Sequence, residues 1–359
     1  MKKKIISLLF GLVYIISFIC PMHTFAEEDT SATSGFSFEV IRPENQKNTE
    51  VTYYDLLMKP GQKQTVQIKM NNSSDKEIKV SVKRNSAKTN SLGVIEYGPS
   101  EIKKDTSLQY DFAEVVQAPE EVTVPANGST LLDLAISMPE SSFEGYISGG
   151  IQLQQLDDEG VKKESESGMV VNKFAYLVGM LLSESETKKI QPDMQLNKVY
   201  AGLDNFRNAV FINFSNIKSV YTEKMTVTVQ VTRKGSDEVL FDTKKANMRM
   251  APNSMIDFPV SMNGERMEAG DYRAKILVTT EDGGRWSWDQ EFKITNEEAE
   301  KYNEQDLTLI QSGGINWLLI ALMVGSLLLL IIIIFLIIRY VKKKKEKAKK
   351  MKKAKKKNK

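Results

Sequence analysis

The chain has 359 residues, with 49 Lys+Arg against 46 Asp+Glu and a formal net charge of +3. It holds one cysteine and one histidine, Cys20 and His23, so residues 27–359 contain neither. That stretch therefore has no disulfide, thiol nucleophile, imidazole base or ordinary zinc ligand set. Ser-His-Asp and Cys-His chemistry are excluded, and only carboxylate catalysis of the glycosidase kind stays open.

The N-terminus carries Lys2-Lys3-Lys4, an apolar run from Ile5 to Ile19, and then Thr24-Phe25-Ala26 with small residues at the −3 and −1 positions. This pattern predicts a secretory leader over 1–26 with cleavage after Ala26. A first membrane helix would need a longer run. Lipid attachment at Cys20 would need small residues in place of Phe18 and Ile19.

Short runs of alternating apolar and polar residues follow, among them Phe36-Ser37-Phe38-Glu39-Val40, Thr65 to Met70 and Ile78 to Lys83. Period two is the mark of a half-buried strand. Asn71-Asn72-Ser73-Ser74-Asp75 reads as the turn between two of them. Long helical periodicity is absent from this part of the chain. An internal repeat extends the pattern: Pro125-Ala126-Asn127-Gly128-Ser129, Ile136-Ser137-Met138 and Gly145-Tyr146 match Pro252-Asn253-Ser254, Val260-Ser261-Met262 and Gly270-Asp271-Tyr272. Each tyrosine is spaced like the corner tyrosine of an immunoglobulin-type sandwich, a structural role. The expected fold is all-β, two tandem Ig-like β-sandwiches followed by a single C-terminal transmembrane helix. Gly150 to Gln154 and Phe174 to Leu182 read as a hairpin whose loop is the charged stretch from Asp157 to Gly168. The first sandwich then covers 36–184, the linker ends at Pro192, and the second sandwich covers 193–296. Residues 297–314 form an acidic juxtamembrane stalk.

Residues 315–338 are uncharged and, at ~1.5 Å per residue, span about 36 Å, enough for a ~30 Å hydrocarbon core. Trp317 stands at one edge; Arg339, Tyr340 and Lys342-Lys343-Lys344-Lys345 stand at the other and open a lysine-rich tail over 339–359. Positive residues stay inside, so the expected topology is single-pass type I with the tail cytoplasmic. The basic cluster reads as a stop-transfer flank rather than a nucleic-acid or regulated lipid patch. Leu309-Ile310-Gln311-Ser312-Gly313-Gly314 is not a sortase signal, so the chain is expected to stay in the membrane. With leader and tail set aside, 32 basic and 45 acidic residues remain, about −13. That balance argues against nucleic acid as a partner.

Two groups of residues invite a functional reading. Trp286 and Trp288 alternate with Gln290, Phe292 and Ile294 on one face of a last strand, which reads as core before ligand platform. Glu281-Asp282-Gly283-Gly284 before them is a hairpin turn. Asp157-Asp158-Glu159 and Glu184-Ser185-Glu186 lack the spacing of a calcium loop. No metal, cofactor or catalytic residue is assigned.

Several segments resemble the WxL-interacting protein family of Gram-positive bacteria. They are Asn45-Gln46, Tyr53-Tyr54-Asp55-Leu56, Lys59-Pro60-Gly61-Gln62, Ala87 to Tyr97, Phe143 to Ile151, Asn172 to Gly179 and Leu203 to Val210. The resemblance implies binding and not catalysis: a first domain for peptidoglycan, and a second for WxL-domain surface proteins and host matrix components. It also implies a first domain ending near 155 and a second starting near Gly168, earlier than the hairpin argument allows. Asn45, Gln46, Asn90 and Tyr97, polar residues in the first-domain segments, are the candidate glycan contacts; the competing reading is that they shape turns and strand ends. A host-matrix adhesin is the alternative function, and a carboxylate-based wall hydrolase the remote one.

Overall fold

The computed structural model describes residues 36–156, 174–187, 189–312 and 317–357. The leader with Ala26 and the expected hairpin loop with Asp157-Asp158-Glu159 lie outside the described residues. The chain divides into two compact units: Met1–Lys88, Ile95–Gln191 and Lys218–Val220; and Thr89–Val94, Pro192–Ile217 and Tyr221–Lys359.

In the first unit, β1 (Phe36–Ile41), β3 (Lys63–Asn72), β9 (Gly128–Ser137) and β7 (Val116–Gln117) form one sheet, in the order β1-β3-β9-β7. The second sheet has the order β2-β11-β10-β4-β8, with β2 at Tyr54–Leu57, β4 at Ile78–Ser86, β8 at Glu121–Val124, β10 at Ile147–Gln155 and β11 at Ala175–Ser183. A short ladder joins β5 (Lys88–Thr89) to β6 (Ile95–Glu96). Alternation dictates the core: Val66, Ile68 and Met70 of β3, Val80 and Val82 of β4, and Leu132, Leu134 and Ile136 of β9 are buried in one cluster with Ile151, Leu153, Val178, Met180 and Leu182. Each such side chain contributes about 1.5–3 kcal/mol on leaving water. Strand β11 pairs antiparallel with β10 from Gln154↔Ala175 to Ile147↔Leu182, and parallel with β2.

The second unit pairs β12 (Met194–Asp204), β13 (Arg207–Asn216) and β16 (Ser254–Ser261) in one sheet. Against it lie β15 (Val239–Met250), β14 (Thr222–Arg233), β17 (Gly270–Thr279) and β18 (Arg285–Ile294), in that order. Phe214, Phe258, Val229, Ile276 and Met250 sit among its buried core. The internal repeat has a physical basis. Asn127 and Asn253 both take the left-handed conformation, each at φ 47°. A buried asparagine at the end of the neighbouring strand holds each turn: Asn72 Nδ2 donates to the Pro125 carbonyl and Asn216 Nδ2 to the Ala251 carbonyl.

Four helices are described. Helix α1 (Phe112–Val115) is capped by Asp111. Helix α2 (Asn296–Gln305) opens on a capping box between Thr295 and Glu298. This is where the acidic stalk was expected to begin; the segment instead packs on the second unit through Ala299 and Asn303. Asn303 accepts from Asn208 Nδ2 and the Met267 N–H, and donates to the Met267 carbonyl, all at 2.8 Å. Helix α3 (Leu307–Ser312) follows, and α4 (Trp317–Lys357) is continuous over 41 residues. Within α4, Ile320–Lys344 is long and apolar enough to cross a membrane.

Candidate functional site

The outer face of the first unit's five-stranded sheet is floored by glycine. Successive strand residues point to opposite faces, and the pair Gly149-Gly150 uses this on both sides. A Cβ on Gly149 would fall 2.2 Å from the Phe112 ring, so this glycine admits Phe112 to the core. A Cβ on Gly150 would fall 2.6 Å from Tyr97 Cβ and 2.9 Å from the Tyr97 carbonyl oxygen, so its neighbour admits the Tyr97 backbone to the outer surface. Gly150 stands opposite Gly179 across β10 and β11, where the Tyr53 Cβ lies 3.5 Å from the position a side chain would take. Gln152 and Leu177 are the next outward pair, and Gly98 crosses above both.

The result is a surface with two tyrosines, an exposed leucine and polar groups that are not fully satisfied. Leu177 is 50% exposed and Tyr53 36%. Gln152 Oε1 and Asp55 Oδ1 are buried without a hydrogen-bond partner, a state that costs about 1–3 kcal/mol when no ligand or water completes it. Burial pushes the Asp55 carboxyl up; the Lys47 charge opposes the rise and the Glu186 charge adds to it. Two tyrosines and an exposed leucine on one sheet face suit a ligand with apolar edges.

The four candidate contacts fall into three places. Tyr97 lies on this face. Gln46 is 9% exposed and stands behind it: its Nε2 donates to the Asn48 and Tyr53 carbonyls at 2.8 and 3.0 Å, and its Oε1 accepts the Asp55 N–H at 3.2 Å. It thus fixes the backbone that presents Tyr53 and Asp55. Asn45 donates to the Leu57 carbonyl and exchanges hydrogen bonds with the Gln64 amide. Asn90 accepts from the Leu92 and Val94 N–H groups in a turn that Gly93 completes at φ 71°, within the segment clustering with the second unit. Residue-type reasoning missed Tyr53, Asp55, Gln152 and Leu177 as members of one surface. The available signal was the Gly-Gly pair in a strand, which marks close backbone approach.

The second unit presents its aromatic residues differently. Trp286 and Trp288 are half-buried against the core, Trp286 Nε1 donating to Asp193 at 3.1 Å, while Gln290 on the same face is exposed. Tyr272 OH donates to the Glu268 carbonyl at 2.8 Å, the corner arrangement expected. The Tyr146 hydroxyl accepts from Thr187 Oγ1 at 2.5 Å. Glu184, one of the acids considered for calcium, accepts from Ser142 Oγ and the Phe143 N–H. Among the described residues no cluster of three His, Cys, Asp or Glu side chains is arranged for a metal.

Two family models match the chain. The WxL Interacting Protein peptidoglycan binding domain matches residues 36–155, and the WxL Interacting Protein host binding domain matches residues 165–304. The chain belongs to the WxL-interacting protein family. The glycine-floored face draws Tyr53, Asp55, Tyr97, Gly150 and Gln152 from the range of the peptidoglycan-binding model, and Leu177 and Gly179 from that of the host-binding model. The latter range also takes in β11, although β11 hydrogen-bonds to β10 and β2. No curated protein matches the chain. Among solved structures, the YadV chaperone aligns over 72% of this chain and 100% of its own at 8% identity and TM-score 0.28. The Pseudomonas aeruginosa CupB2 chaperone aligns over 65% and 95% at 13% and 0.24, and the E. coli chaperone DraB over 72% and 98% at 12% and 0.26. The two family matches show a surface binding protein with domains of the peptidoglycan-binding and host-binding families; its described residues form two β-sandwiches and include one helix long and apolar enough to span a membrane.

Proposed function

We propose that the chain is a non-enzymatic scaffold at the membrane–wall interface. The first unit holds peptidoglycan and the second engages WxL-domain surface proteins. Helix α4 keeps both at the membrane, with the chain type I and its lysine-rich tail cytoplasmic. The observation that carries the reading is the succession of two separately cored β-units, matching a peptidoglycan-binding and a host-binding domain, before one apolar segment of bilayer length.

The face of Tyr53, Tyr97 and Gln152 is the proposed glycan seat. Sugar C–H groups stack on the tyrosine rings, with exposed Leu177 extending the apolar contact. On this reading Gln46 is a positioning residue and Asn45 a strand-end support.

The test is co-sedimentation of residues 27–311 with insoluble peptidoglycan, and capture of a purified WxL-domain protein by the same chain. Retention by both is the expected result, with Tyr97→Ala reducing only the first. Retention by neither, at low salt, overturns the scaffold reading. A second reading, an adhesin for host matrix proteins, is supported by the host-binding match over 165–304. Solid-phase binding to matrix proteins in the absence of any WxL protein separates the two.

A further inference from the structure

The hairpin between β12 and β13 pairs Asp204 with Arg207 and so closes through two residues, Asn205 and Phe206. Both take positive φ, 47° and 60°. Such a turn strongly prefers Asn-Gly, because the second position is left-handed and costs a side chain about 1 kcal/mol or more. Phenylalanine occupies it here, and the ring gains no compensating burial: Phe206 is 65% exposed. The fold would be served as well or better by glycine.

The tip is fastened to the segment by which the chain leaves the unit. The Leu307 N–H donates to the Phe206 carbonyl at 3.0 Å. The Asp306 carboxylate, fully buried, accepts from the Asn208, Thr308 and Leu309 N–H groups, and the Thr308 side chain lies against Gly264. The start of α3 is therefore held at the hairpin tip. Leu307 itself is 47% exposed, and Arg207, also exposed, flanks the tip. From Leu307 to Ile320, where the bilayer-length segment begins, helical residues advance ~1.5 Å each and the others at most ~3.5 Å. The tip thus lies within roughly 30 Å of the membrane entry point. The turn at Thr280–Gly284, at the opposite end of β17, is a further strand length away, about 35 Å.

We infer that Phe206 and Leu307 form a lipid-contacting tip, which seats the membrane-proximal end of the second unit in the headgroup region of the bilayer that α4 crosses. Phe206 supplies the apolar wedge, Leu307 widens it, and Arg207 meets lipid phosphate at the edge. This contact adds a second attachment to the single helix and fixes the tilt of the unit, which a lone helix leaves free. The inference rests on α4 being in the bilayer.

The full chain, in a Cys20→Ser background, is reconstituted in vesicles of equal parts phosphatidylcholine and phosphatidylglycerol. Single cysteines at Phe206→Cys, Leu307→Cys or Asp282→Cys carry an environment-sensitive dye, the last as the control in the opposite turn. The expected result is blue-shifted emission at 206 and 307, quenched by headgroup-level spin-labelled lipid and shielded from aqueous iodide, with the 282 label iodide-accessible and unaffected by the lipid quencher. Labels at 206 and 307 that behave like 282 overturn the inference. Labels shielded from iodide but unquenched by lipid also overturn it, since they report a protein contact. Failure of the chain to float with the vesicles would instead reject the membrane reading of α4. Phe206→Gly provides the complement: thermal unfolding at the same or a higher temperature, with the 307 label returned to water.

Discussion

On the outer face of the first unit's five-stranded sheet, Gly150 and Gly179 stand side by side and Tyr97 and Tyr53 approach the bare backbone. On the outer face of the second unit's four-stranded sheet, Arg273 pairs with Asp289, Lys234 with Glu291 and Lys275 with Asp237, all well exposed. The two faces are built on similar sandwiches, each with its own apolar core, yet they present opposite physics. The first concentrates tyrosines and an exposed leucine, whose apolar surface gains when a ligand displaces water. The second spends its charges on each other, in a setting where water and salt cancel most of the attraction. A face whose charges are already paired within the protein has little to offer a ligand, and a face with exposed rings has more.

The contrast can be broken from inside the first sandwich. Gly149→Ala sets a methyl group against Phe112 and the Asn85 carbonyl, and is expected to cost about 3 kcal/mol. In a denaturant titration the first unit's transition should move to lower concentration and the second's stay in place.

In the second unit the comparable weak point is Asp306. Burial alone would raise its carboxyl, but the N–H donors of Asn208, Leu309 and Thr308 together hold it below the ordinary value of 3.8. Its folded pKa is therefore depressed. The stability it contributes is full above the unfolded value, near pH 4, and is lost as pH falls through the folded value below that. Asp306→Ala should cost about 2 kcal/mol at neutral pH by leaving those donors unpaired. Part of the difference from the unmodified chain should vanish in acid, as read by unfolding followed at two pH values.

Tyr97→Ala sharpens the functional side of the comparison. It should lower retention on insoluble peptidoglycan about tenfold, equivalent to about 1.4 kcal/mol, while leaving the unfolding transition nearly unmoved, because the ring is only half-buried. Gly150→Ala should produce the same loss of retention by lifting the Tyr97 backbone. The smallest effect belongs to the ion-paired face: Arg273→Ala should leave both unfolding transitions and peptidoglycan retention where they were, at low and high salt alike.

Much of this architecture is legible in the residues. Val66-Ile68-Met70 and Ile78-Val80-Val82 alternate with polar residues, and burial of one face per strand follows. The Pro-Asn-Ser repeat announced two similar sandwiches because a left-handed asparagine and a buried strand-end asparagine recur together. The hydrophobic segment and its basic flank were equally plain. The candidate site was legible only in part. Tyr97 groups with Asn45, Gln46 and Asn90 as polar residues of the first-domain segments. Residue type could not tell that Tyr97 lies on the glycine-floored face while Gln46 and Asn90 bond backbone groups and Asn45 bonds both the Leu57 carbonyl and the Gln64 amide. Gln152 and Leu177 looked like ordinary strand residues, since nothing local reveals which residue of a neighbouring strand stands opposite. The acidic run after residue 296 has a weakly amphipathic pattern, and its docking depends on Asn303 reaching Asn208 and Met267.

From its sequence alone this protein is an all-β pair of sandwiches in a stretch, residues 27–359, that holds no cysteine or histidine, followed by an apolar segment of bilayer length. Those properties depend on composition and on short-range period, which each segment carries by itself. Only tertiary structure decided that Gly149 opens the core and Gly150 the surface, that Gln46 presents Tyr53 and Asp55, and that Phe206 is tied to the segment leading to α4. Each of these depends on register between strands distant in the chain, set by the summed fit of two whole faces and written in no single stretch of residues.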